Sequence, residues 1–180
     1  MALRCARAES LTETGRPYLA EQRAFYFLTA ATAVNGPDAF LAGINPTMLK
    51  IRAIEMTQEE ADTTIAACDT LYPLARSDAP VTLPTRVYDH TMICLAAVGY
   101  SQGLAQALKA SGRDVAGDFE RLAPVADFYR AAGNKYRVTG KTEADIKATV
   151  GRILAQYTFR SLTIGNFDRI ELGCEADMKR

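Results

Sequence analysis

Met92-Ile93-Cys94-Leu95-Ala96-Ala97-Val98-Gly99-Tyr100-Ser101-Gln102-Gly103-Leu104-Ala105-Gln106-Ala107-Leu108 is the stretch on which the fold turns. It can be read as a strand, a glycine turn and a short helix, or as one helix. Ala96, Ala97, Ala105 and Ala107 are strong helix formers, and no apolar–polar alternation of a half-buried strand runs through the segment. The helical reading prevails, extending from Thr85 to Ala110 between the loop-like Ser77–Pro84 and the stop at Gly112. Its alanines and glycines suit a central helix that neighbours approach closely.

Working outward, helix signals recur on both sides. Gly15-Arg16-Pro17 opens a helix running to about Asn35-Gly36-Pro37, with Leu19, Phe25, Tyr26, Leu28 and Thr32 on its buried side. Asn45-Pro46 reads as an N-cap with proline at the first helical position, starting a short helix through Met48, Leu49, Ile51, Arg52 and Ile54. Thr57-Gln58-Glu59-Glu60 is a capping box for a helix with Ile65, Cys68 and Tyr72 on one face, ended or bent by Pro73. Asp114 is a cap candidate for a helix bent near Pro124, carrying Phe119, Leu122, Val125, Ala126 and Tyr129 and ending at Gly133-Asn134. Thr142-Glu143-Ala144-Asp145 introduces another, striped by Ile146, Val150, Ile153, Leu154 and Tyr157. The expectation is an all-α, single-domain bundle over 1–180 of about five to six helices, with 1–16 as an extended arm and 165–180 as an irregular tail. No internal repeat is read.

Totals narrow the function classes. Apolar residues at 48% and charged residues at 23% are globular values. Lys+Arg and Asp+Glu both number 21, so no overall field draws the chain to nucleic acid or an anionic membrane. The longest apolar-looking run, Ala24–Val34, falls short of the ~20 residues a membrane span needs. The basic, small start from Met1 to Ala8 resembles an organelle presequence only until Glu9 and Glu13. Asn45-Pro46-Thr47 is no glycosylation acceptor, because proline occupies its middle position.

Gly99-Tyr100-Ser101-Gln102-Gly103 matches G-x-S-x-G, the nucleophile elbow, and taken alone it resembles a serine esterase such as a cutinase. That resemblance implies Ser101 as nucleophile and a histidine downstream of it to take its proton. The chain's single histidine, His90, lies upstream, and on a helix it stands about 16 Å from Ser101. No catalytic residue is therefore assigned. Gly140-Lys141-Thr142 resembles the end of a phosphate-binding loop, but Lys135 stands where that loop needs glycine.

Tyr129, Arg130, Lys135, Tyr136, Arg137 and Lys141 form the clearest basic, tyrosine-bearing patch and are the candidate partner contacts. His90 and Cys94 share a helix face, yet two ligands do not make a metal site, and no metal or cofactor is expected. The four cysteines lack a C-x-x-C pair; antiparallel packing of their helices would allow a Cys68–Cys94 disulfide, with reduced, buried cysteines as the plainer reading. The expected function is a noncatalytic protein-interaction module, an accessory subunit whose partners are other protein subunits. One alternative is a hydrolase-like or small-molecule-binding helical protein using Gly99–Gly103, and another is a nucleic-acid-binding module using Arg130–Lys141. Compartment is left unassigned, with the cytoplasm as default.

Overall fold

Reciprocal side-chain caps set where two of the helices begin. Thr57 accepts a hydrogen bond from the Glu60 backbone N–H at 3.2 Å, and the Glu60 carboxylate accepts from the Thr57 N–H at 2.8 Å. Thr142 and Asp145 form the same reciprocal box. The computed structural model describes residues 1–12, 17–33, 36–113, 115–136 and 142–180. These form eight α-helices: α1 Ala2–Leu11, α2 Pro17–Thr32, α3 Pro37–Arg52, α4 Gln58–Leu71, α5 Val87–Ala110, α6 Ala116–Gly133, α7 Glu143–Ser161 and α8 Phe167–Met178. Among the described residues there is no strand, and no helix is long and apolar enough to cross a membrane.

The all-α expectation holds, with eight α-helices among the described residues in place of about five to six, and the decisive stretch is one continuous helix. Gly112, at φ 79°, closes α5: the Arg113 N–H reaches the Leu108 carbonyl and the Gly112 N–H reaches that of Lys109. Asp114, expected as the next cap, lies outside the described residues.

Three boundaries differ from expectation. The supposed N-terminal arm is α1, whose Cys5, Ala6, Ala8 and Glu9 are buried. The burial of Glu9 on that face depends on Arg76, distant in sequence, which donates from Nη2 at 2.7 Å and Nε at 2.8 Å. The supposed tail contains α8, capped by Asn166, which accepts from the Arg169 N–H at 3.0 Å. Gly173 of this helix sits where a Cβ would meet Val81 at 3.2 Å and Leu83 at 3.3 Å, so the loop before α5 packs against it. Pro46 lies inside α3 instead of opening it, because Pro37 already occupies the first turn behind Gly36, at φ 75°.

The disulfides also differ. Cys68 bonds to Cys5 and Cys94 to Cys174, in place of a Cys68–Cys94 bridge. The expected bridge required α4 and α5 to lie side by side; instead α4 packs on α1, and α5 on α6, α7 and α8. One order therefore runs through both halves of the chain: the first helix of four is tied to the fourth. Each half has its own core. Cys5, Tyr26, Phe27, Ile51 and Cys68 form one, and Ile93, Val98, Leu122, Val125, Ile170 and Cys174 belong to the other. Phe25 packs against both, and α2–α8 and α3–α7 contacts join the halves.

Candidate functional site

Ser101 sits within α5, with no turn to expose it, and is 0% exposed. Its hydroxyl donates to Glu171 Oε1 and accepts from Gln22 Nε2 at 2.7 Å. The Glu171 carboxylate, also 0% exposed, accepts from Gln22 Nε2 at 2.5 Å, the Tyr18 hydroxyl at 3.2 Å and Arg121 Nη2 at 3.3 Å. Burial pushes the Glu171 carboxyl up to about 7, against the pull of Ser101, Arg121 and Gln22 toward the charged form. Burial likewise pushes the Tyr18 phenol up. A nucleophile needs an open approach and a base that accepts its proton. Ser101 has no open approach, and its partners build a packed polar knot joining α2, α5, α6 and α8.

The same helix borders an opening one residue away. A cavity of about 720 Å³ lies among α1, α2, α3, α5 and α7, with Phe25, Phe40, Ile44, Tyr100 and Leu154 in its wall. That volume falls within the ~300–1,000 Å³ usual for small-molecule sites. Phe25 stacks on Tyr100 with ring centroids 3.6 Å apart and meets Phe40 edge-on at 6.4 Å. Phe40 meets Phe159 edge-on at 5.1 Å, which fixes one side of the wall. Burial pushes the Tyr100 phenol up.

Space exists because the helices facing it present Ala24, Ala96, Gly99 and Ala155. Gly99 and Gly103 were expected to let neighbours approach. Instead, a Cβ placed on either meets nothing within 4 Å. The small residues leave room at Gly99, and Arg7, Ser10, Glu21 and Arg52 contribute polar groups to the lining.

The described residues of the expected contact patch divide between buried and exposed positions. Tyr129 is 3% exposed; its hydroxyl donates to the Cys174 carbonyl at 3.1 Å, and its ring stacks on His90. Arg130 pairs with Asp127 at 2.6 Å and donates to Gln102 at 3.1 Å. Tyr136 is 40% exposed and meets Tyr88 edge-on, while Lys135 is exposed. Arg137 and Lys141 lie outside the described residues. Asp127, one turn before Arg130, supplies the acid that the linear reading overlooked.

His90 points Nδ1 at the Pro84 carbonyl and Nε2 at the Tyr129 hydroxyl, each 3.2 Å away. Cys94 is joined to Cys174, which removes it as a metal ligand beside His90. Among the described residues, no group of three His, Cys, Asp or Glu side chains is placed to hold a metal ion.

Sequence reasoning missed Glu171, Arg121 and the cavity wall. Glu171 left a signal: it follows Phe167 by four and Ile170 by one on α8, which puts a carboxylate on the face that Phe167, Ile170 and Cys174 bury. The cavity left none, because it is bounded by helices distant in sequence. No family model, curated protein or solved structure matches the chain.

Proposed function

We propose that this chain is a disulfide-stapled helical binding protein that holds a small apolar molecule in the cavity bordered by Gly99 and Tyr100. The carrying observation is that cavity: about 720 Å³, walled by aromatic and aliphatic side chains, at a place where small residues keep bulk out. Burying apolar surface there is favourable at about 25 cal/mol per Å². A frame tied at Cys5–Cys68 and Cys94–Cys174 holds the wall in place before the ligand arrives, which lowers the ordering cost of binding. The same bridges favour an oxidising compartment over the cytoplasm.

The test uses N-phenyl-1-naphthylamine, an apolar dye that brightens on leaving water. The folded, oxidised chain is expected to bind it saturably at one site. Gly99→Leu places a branched side chain where the backbone has room and is expected to abolish binding while helicity stays intact. Equal dye binding by wild type and Gly99→Leu would defeat the assignment.

A further inference from the structure

The charges in the cavity lining point to a narrower class of occupant. Arg7, on α1, and Arg52, at the end of α3, both line the cavity, as does Glu21 on α2. The Arg7 Nε–H donates to the Ile54 carbonyl at 3.1 Å, which ties Arg7 to the segment immediately following Arg52. Glu21 is matched by Arg113 at 3.6 Å. Among the described residues, neither Arg7 nor Arg52 lies within ion-pair distance of a carboxylate. The lining thus joins an apolar body to two guanidinium groups that no carboxylate among the described residues pairs with, and to Glu21, which Arg113 matches.

Resting on the binding reading above, we infer that the occupant is a single-chain amphiphile with an anionic head: an alkyl chain against Phe25, Phe40 and Tyr100, and a carboxylate or similar oxyanion on Arg7 and Arg52. Guanidinium presents a planar fork of donors that matches two oxyanion oxygens. An alkyl alcohol would gain the wall but not the fork. An alkylammonium would meet like charge. The site sits at a solvent-facing edge, so the head contributes modestly and its share is screened by salt.

The experiment measures displacement of N-phenyl-1-naphthylamine from the full oxidised chain by dodecanoate, 1-dodecanol and dodecyltrimethylammonium, each below its aggregation concentration at neutral pH. Dodecanoate is expected to bind about 10-fold tighter than dodecanol, from charge-assisted hydrogen bonding partly exposed to water. That preference is expected to shrink with added salt and to vanish in Arg7→Ala/Arg52→Ala, where dodecanoate and dodecanol are expected to bind equally. Equal affinity for dodecanoate and dodecanol would overturn the anionic head and leave the apolar cavity standing. Failure of the dye and all three chains to bind would remove both. Sedimentation of the chain as a dimer that excludes the dye, with Arg52→Glu restoring monomer and dye binding, would assign the opening to a second copy and overturn the inference.

Discussion

Glu171→Gln isolates the energetics of the buried polar knot. In the wild type the carboxyl titrates near 4.5 when the chain is unfolded and is raised to about 7 when folded, with burial the leading cause. A raised folded value means the folded state holds the proton more tightly. The stabilising contribution is therefore complete below about pH 4.5 and is lost as pH rises through about 7. That interval corresponds to about 3 kcal/mol, or about 8 °C in Tm for a chain of this length. Glutamine keeps the shape but does not titrate. Its amide stays neutral at every pH, so any altered contact with Arg121 is an offset that does not change with pH. Glu9, also raised by burial, titrates in both proteins and cancels in the difference. Thermal unfolding followed by circular dichroism, with the disulfides intact, would be run on both proteins from pH 4 to 8. The wild type is expected to lose about 3 kcal/mol relative to Glu171→Gln across that range. A difference that stays flat with pH would refute the assignment of a raised carboxyl to Glu171.

Other substitutions test separate parts of the structure. Gly99→Ala is expected to stabilise by about 0.5–1 kcal/mol in urea unfolding, since the site is helical and a Cβ there has open space. Arg76→Met removes the partner of nearly inaccessible Glu9 and is expected to cost about 2–3 kcal/mol, discounted for the partial exposure of Arg76. Cys94→Ala/Cys174→Ala and Cys5→Ala/Cys68→Ala, opening loops with sequence separations of 80 and 63, are each expected to cost about 4 kcal/mol by loop-closure entropy. Thiol titration of the unfolded, unreduced wild type is expected to find no free cysteine.

Helices announced by local chemistry were legible in the sequence. The capping boxes at Thr57 and Thr142 bond as their spacing implied, and Gly112 ends α5 as a glycine stop should. What escaped depended on partners far away in sequence. The burial of Glu9 in α1 rests on Arg76, and the packing of Gly173 in α8 rests on Val81 and Leu83, none of which is local in sequence. Small residues around Gly99 carried two opposite meanings, close packing or empty space, and only the placement of α1, α3 and α7 chose between them. The disulfides show the same limit. Cys68 and Cys94 flank one loop, so a bridge between them was possible and reduced cysteines the plainer reading, whereas packing of first helix on fourth in each half set two other bridges. The G-x-S-x-G motif could be set aside in advance by the position of His90, but the true partner of Ser101, Glu171, lies 70 residues away.

The most direct test of the apolar binding site is a methyl-region NMR titration of the oxidised chain with dodecanoate. Shifts are expected to saturate together and to concentrate on the methyl groups of Leu28, Ile44, Ile51, Leu95 and Leu154, which line the cavity on five-helix geometry. Methyls of Ile93, Val98, Leu122 and Ile170, buried outside the cavity lining, are expected to move least. Saturable shifts centred on that second group, or no saturable shifts at all, would contradict the account.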